Sequence, residues 1–198
     1  TMIDKTKLGL HLPTDPRWVN LAEMALEDIL TDHAFCEQKA ASTCISLIQQ
    51  YHDKTALVKA LCPVVTEEWG HFRMVLREKE KRNLSLGKQR RDEYVLALHK
   101  FRKGGNREIA LIENLLVCAL IEARSAERFR LLSLHISDES LRQFYHDLMV
   151  SEAGHYKMFL ELAILYGGEA AVRKRWQEYL TFEAGVMLEL MPDGKRIH

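Results

Sequence analysis

Two short segments of this chain carry the same reactive side chains in the same order. Glu68-Trp69-Gly70-His71-Phe72-Arg73-Met74-Val75-Leu76 aligns with Glu152-Ala153-Gly154-His155-Tyr156-Lys157-Met158-Phe159-Leu160. Glu, Gly, His, Met and Leu coincide, and Phe/Tyr and Arg/Lys are near matches. Each segment has an acidic partner upstream: Glu37 stands 31 residues before Glu68, and Glu122 stands 30 residues before Glu152. On a helix, a carboxylate and an imidazole three positions apart lie about 60° apart around the axis, so both project from one face. An antiparallel neighbour brings the lone glutamate level with them. Two such hairpins related by a pseudo-twofold would converge four carboxylates and two imidazoles in one core. Burying four carboxylates without compensation is prohibitive, and two divalent cations cancel their charge. Mixed oxygen and nitrogen ligation suits iron or manganese, whereas zinc favours fewer ligands in a tetrahedron. The candidate metal ligands are therefore Glu37, Glu68, His71, Glu122, Glu152 and His155.

A lone Glu-x-x-His on a helix is ordinarily a surface pair. The duplication, the apolar surroundings and the matched upstream glutamates set these two apart. Gly70 and Gly154 fall at equivalent helical positions, where glycine costs about 0.5–1 kcal/mol relative to alanine. Their repetition points to close helix packing or to room beside the ligands; two tolerated small residues is the plainer reading. Tyr156 follows His155 and so points about 100° away from it, which argues against a radical role. His11, His33, His52, His99, His135, His146 and His198 lack matched spacing and read as surface or helix-end residues. Met74 and Met158 read as core filling. Lys39 and Arg124 read as ion-pairing residues near the bundle, either of which could help to balance the site.

The elements that must position these ligands are helices. Only four prolines and ten glycines interrupt the chain, and no stretch alternates long enough for a strand. Asp15-Pro16 has the form of a helix start. Trp18 to Tyr51 reads as one long helix or two in series, with a possible joint at Thr31-Asp32. A second helix runs from Thr55 to Arg82, where Pro63 should kink or restart it. A third spans Asn106 to Leu134. A fourth is capped at Ser137-Asp138-Glu139 and ends near Gly167-Gly168, and a fifth covers Glu169 to Leu190. Between the second and third lies Leu84 to Gly105, too long for a hairpin loop, with a short helix expected around Tyr94 to Phe101. Four long helices with one long middle crossover, plus an extra C-terminal helix, make an all-α, ferritin-like four-helix bundle. The 198 residues suit a single domain, 1–198.

Bulk composition is neutral on partners. There are 28 acidic and 28 basic residues, so any electrostatic partner must be met locally. From Arg77 to Arg107 the chain has eleven Lys and Arg against four Asp and Glu. Cys36, Cys44, Cys62 and Cys118 form no C-x-x-C pair and sit in apolar helical stretches as small core residues. That usage fits a reducing, cytoplasmic setting. Thr1 to Pro13 lacks the apolar run of a signal peptide, and the other apolar stretches are too broken by charge to span a bilayer.

The ligand set alone permits oxygenation of a C–H bond, iron oxidation for storage, peroxide reduction, or peroxide dismutation with manganese. The run Asp32-His33-Ala34-Phe35-Cys36-Glu37-Gln38-Lys39-Ala40-Ala41-Ser42, together with the two Glu-x-x-His segments, resembles the bacterial tRNA 2-methylthio-isopentenyl-adenosine hydroxylases over nearly the whole chain. The resemblance implies an oxygen-dependent non-haem di-iron monooxygenase that hydroxylates the isopentenyl group of the modified adenosine just 3′ of the anticodon. It implies two iron ions (Fe2+/Fe3+) on the six residues above, dioxygen as co-substrate, and the tRNA anticodon loop as partner. It also implies an external electron donor, a reductase or electron-transfer protein. No flavin or nicotinamide fingerprint occurs, Gly104-Gly105 being too slight.

The basic crossover fits an RNA substrate. Lys88, Arg90, Arg91, Lys100, Arg102 and Lys103, with Lys79, Lys81, Arg82 and Arg107, are candidate phosphate contacts; a solvated charged loop is the alternative. The prenylated base would have to leave the anticodon stack and enter an apolar channel. Two other classes compete. An iron-storage or ferroxidase protein would form a large cage, which the basic crossover and zero net charge do not favour. A peroxide-consuming di-metal enzyme of the rubrerythrin type would need two C-x-x-C pairs that are absent here, and one of the manganese catalase type would hold manganese.

Overall fold

The protein is described by a computed structural model over residues 8–190. Residues 1–7 and 191–198, which include the start of the N-terminal segment and His198, lie outside the described residues. All regular structure among the described residues is helical: α1 (Trp18–Met24), α2 (Leu26–Gln50), α3 (Thr55–Glu80), α4 (Glu93–Lys100), α5 (Arg107–His135), α6 (Glu139–Gly167) and α7 (Glu169–Leu190). No helix among them is long and apolar enough to cross a membrane. The described residues form two compact units: Met24–Arg91, and residues 8–23 together with 92–190.

The first of these is the α2–α3 hairpin with the start of the crossover. Ile29, Leu30, Ala34, Ala41, Cys44 and Leu47 form the buried stripe of α2, and Leu57, Leu61, Val64, Phe72 and Val75 that of α3. These stripes follow the helical period. The first long segment is two helices in series, but the joint is at Ala25, whose φ of −125° and ψ of 39° break the helix. Thr31-Asp32 lies inside α2 instead. Its polar side chains, which suggested a joint in sequence, serve tertiary contacts. The Thr31 hydroxyl donates to the Leu86 carbonyl (3.1 Å) and accepts from Lys79 Nζ (2.7 Å). Asp32 accepts from Arg90 Nε (2.9 Å) and Nη2 (2.6 Å). These bonds lay the first part of the crossover on α2. Gly87 completes the contact: its φ is +79°, and an added Cβ would lie 3.3 Å from Thr31 Oγ1. α3 runs unbroken through Pro63 instead of restarting. Pro63 is exposed, so the carbonyl it leaves without an amide partner can be met by water. Cys62 is exposed as well, unlike the core role its neighbours suggested, whereas Cys44 is buried.

The second unit is the α5–α6 hairpin with α4 and α7 against it. Side-chain caps fix three of its helix starts: Asp92, Asn106 and Asp138 accept from the amides of Val95, Ile109 and Leu141. α6 stops at Gly168, with φ +83°, a conformation that costs glycine little. The unit is fastened by a buried charge network centred on Arg124, which is 1% exposed. Its Nε and Nη2 bond the two oxygens of Glu183 on α7 (2.7 and 2.9 Å). Its Nη1 meets Glu127 (2.7 Å) and the Thr14 hydroxyl (3.1 Å), and Nη2 also reaches the Leu12 carbonyl (2.8 Å). The guanidinium's five N–H groups thus find five acceptors. Tyr94 of α4 donates to Glu183 at 3.1 Å. Arg128, buried beside the network, is pushed down to about 10 by burial and then by the neighbouring Arg124 charge.

Replacing Arg124 with Met keeps the bulk but strands Glu127 and Glu183 as buried anions. We expect destabilisation of about 3–5 kcal/mol, read as a lowered denaturation midpoint. A variant as stable as the parent would show that the network does not fasten the unit.

Candidate metal centre

Each hairpin builds one triad from its own residues. In the first, Glu37 comes from α2 and Glu68 and His71 from α3. The turn at residues 51–54 between the two helices sets them at one level, as the 31-residue spacing requires. Glu68 is 1% exposed, Glu37 is buried and His71 is half-buried. His71 Nδ1 lies 3.5 Å from Glu37 Oε2 and 3.7 Å from Glu68 Oε2. In the second hairpin, Glu122 comes from α5 and Glu152 and His155 from α6, all buried. His155 Nδ1 lies 3.8 Å from Glu122 Oε2 and 4.0 Å from Glu152 Oε2. Within each triad the donor atoms fall within 4.8 Å of one another.

The donor set fits a metal ion. Two buried carboxylates facing one imidazole leave uncompensated negative charge in a low-dielectric setting, which a divalent cation of the iron or manganese type relieves. Glu122 Oε2 is enclosed and accepts no hydrogen bond from the protein, as a ligand oxygen kept for a cation would be.

Compared with known proteins, the sequence matches the tRNA-(MS2IO6A)-hydroxylase (MiaE) family over residues 1–198. The chain belongs to this family. A relative in Pseudomonas putida, tRNA 2-(methylsulfanyl)-N(6)-isopentenyladenosine(37) hydroxylase, is 37% identical over 88% of this chain and 84% of its own length. The hydroxylase of the same name in Salmonella typhimurium is 30% identical over 78% of this chain and 74% of its own. Among solved structures, a Synechococcus protein with aldehyde deformylating oxygenase activity superposes with a TM-score of 0.88. It is 32% identical and covers 96% of this chain and 94% of its own. The tRNA hydroxylase thus has the ferritin-like fold expected from its helix pattern, with the long middle crossover and the extra C-terminal helix, and it is an enzyme.

Within this hydroxylase, one site residue escaped the sequence reading. His33, expected at the surface or a helix end, is buried on α2. Its Nε2–H donates to Glu37 Oε1 at 2.7 Å. The signal was available as a histidine four residues before a ligand, a spacing that stacks two side chains on one helical face. The repeat does not reveal it, because Cys118 stands at the equivalent position of the second half. Gly70 and Gly154 do not mark close packing, since a methyl group on either would meet nothing within 4 Å. Tyr156 is half-buried with its ring 6.0 Å from Trp176, and burial raises its phenol. Arg124 is ion-paired as expected, and its donors are committed to the α5–α7 network described above.

The basic run divides into fasteners and exposed charge. Lys79 is buried on Thr31 and cannot reach a phosphate; burial lowers its ammonium, against the raising effect of Glu27, Asp28 and Asp32. Arg90 is held by Asp32, with Asp28 at 3.4 Å, so a phosphate would have to compete for it. Lys81 and Arg82 both grip Glu78, each at 2.9 Å. Burial would raise that carboxyl, but the two cations outweigh it and the net shift is downward. Arg102 bonds Asn114 Oδ1 (2.6 Å), and Lys103 Nζ is 3.7 Å from Glu178. Lys88, Arg91, Lys100, Arg102 and Lys103 are exposed.

Metal removal provides the check on the triads. Adding Fe2+ or Mn2+ anaerobically to chelator-stripped protein should raise the thermal midpoint, by about 2.7 kcal/mol of added stability at a hundredfold excess over Kd. Glu68→Ala and Glu152→Ala should each lose much of that gain. A midpoint indifferent to metal in the parent protein would refute the site.

Proposed function

We propose that the chain is a single domain in which the two hairpins bring Glu37, Glu68, His71, Glu122, Glu152 and His155 to one pair of iron ions (Fe2+/Fe3+). The enzyme would hydroxylate the isopentenyl group of 2-methylthio-isopentenyl-adenosine next to the tRNA anticodon. The observation that carries this reading is the same buried Glu/Glu/His triad built twice, on consecutive hairpins, in a member of a tRNA hydroxylase family. The P. putida and S. typhimurium relatives act on that nucleoside by name. Bound iron would supply the two-electron chemistry with dioxygen. One oxygen atom enters the C–H bond and the other leaves as water, which takes two electrons and two protons from outside.

The protein's own part is electrostatic and positional. Burial of the carboxylates keeps water from the reacting centre and strengthens every charge interaction there. The helical frame fixes the donors before substrate arrives, so no reorganisation is needed at the moment of reaction. The two electrons come from a separate reductase or electron-transfer protein. The partner nucleic acid is the anticodon loop, whose bases are splayed more readily than those of a duplex. Exposed Lys88, Arg91, Lys100, Arg102 and Lys103 are candidate contacts to its phosphates, with Arg90 available only at the expense of its pair with Asp32. A tRNA substrate and a need for reductant both support a cytoplasmic location.

The test is direct. Iron-loaded, reduced protein is given prenylated tRNA and 18O2, and the nucleosides are read by mass spectrometry. The expected product carries one labelled oxygen on the isopentenyl group, and Glu68→Ala should slow its formation at least a hundredfold. In view of the Synechococcus neighbour, an aldehyde is offered in parallel. Deformylation of the aldehyde with no change in the tRNA would overturn the assignment.

A further inference from the structure

The two halves of the repeat differ at one position that matters to the ligands. Four residues before Glu37 stands His33; four residues before Glu122 stands Cys118. A helix places such pairs about 5–6 Å apart at Cβ, close enough for an imidazole to reach a carboxylate. His33 does so. Its Nε2–H is 2.7 Å from Glu37 Oε1, both side chains being buried. The other oxygen, Oε2, is the one facing His71 Nδ1, at 3.5 Å. Glu37 therefore has one oxygen tied to a protein donor and one turned to the metal-binding triad. Glu122 is built differently. Its Oε2 faces His155 at 3.8 Å and accepts no hydrogen bond from the protein. Cys118 offers only a thiol, a weak donor on a short side chain.

We propose that His33 is a positioning residue that makes the two metal sites of this enzyme inequivalent. It holds Glu37 in a fixed, single-oxygen ligating pose, whereas Glu122 has no histidine at the equivalent position behind it. His33 is not itself a ligand: the ligand atoms that cluster within 4.8 Å come from Glu37, Glu68 and His71 in this half. The inference rests on the reading of the six residues as ligands of a metal pair, but not on the identity of the substrate. An outer-sphere donor of this kind ordinarily changes metal affinity by about ten- to a hundredfold, so the half holding Glu37 binds first and more tightly.

The experiment titrates chelator-stripped protein with Co2+ as probe, followed by its visible ligand-field bands and by calorimetry, with no turnover involved. The parent should bind two ions in two resolved steps. His33→Leu, which keeps the bulk but removes the donor, should weaken the tighter step by about tenfold or more and bring the two steps together. His33→Gln, which retains an N–H within reach, should recover much of the difference. A role limited to packing predicts the opposite ranking, with Leu tolerated. Cys118→Ala should leave both steps near their parental values. Thermal midpoints of the metal-free variants report whether each folds. Two equal steps in the parent, or His33→Leu binding as the parent does, would overturn the inference. Absence of any Co2+ binding by the folded parent would overturn the ligand assignment beneath it.

Discussion

The constraint on which this molecule turns is the burial of acid. Glu37, Glu68, Glu122 and Glu152 are withdrawn from water on long helices, in a setting where an isolated carboxylate is strongly disfavoured. The chain carries a second buried charge cluster, Arg124 and Arg128 with Glu127 and Glu183, and the contrast explains both. That cluster is balanced within itself, two cations against two anions, and every N–H of Arg124 is bonded. It needs nothing from outside and serves to fasten α5 to α7 and the N-terminal segment. The triads carry two carboxylates and one imidazole apiece, an excess of negative charge that suits a cation from solution. One chain thus uses buried charge in two ways, and the balance of donors within each cluster tells them apart.

The same accounting changes the meaning of the basic crossover. As a run of letters it has an excess of positive charge fit for a polyanion. In the fold, part of that charge is spent internally. Lys79 ties α3 to α2, Arg90 ties the crossover to α2, and Lys81 and Arg82 neutralise Glu78. What faces outward is a smaller set. Within the crossover itself, Arg90 ties the chain to α2 through Asp32.

Duplication gives the molecule its frame and the differences within the duplicate give it direction. The two Glu-x-x-His segments repeat closely, yet the residues four positions before the lone glutamates do not. His33 places a strong donor behind Glu37, while Cys118 places a weak one behind Glu122. A pair of metal positions with different outer contacts can divide labour in a way that a symmetric pair cannot.

What the sequence determined by itself was whatever depends on local periodicity and local chemistry. The fifth long helix, Glu169 to Leu190, the cap at Asp138 and the stop at Gly168 were legible because propensity and capping act within a few residues. The six candidate ligands were legible because their spacing repeats. Tertiary structure decided the rest. Thr31-Asp32 has the residues of a joint, but Leu86, Lys79 and Arg90 use those side chains in tertiary contacts, and the break falls at Ala25. Pro63 did not restart α3, because on an exposed face water can serve the carbonyl it orphans. Cys62 proved exposed, and Gly70 and Gly154 proved to have open space beside them. His33 became a partner of Glu37 only once burial removed water as a competitor for its N–H. A hydrogen bond is worth little when solvent can replace it, and which groups solvent can reach is set by packing between segments distant in sequence.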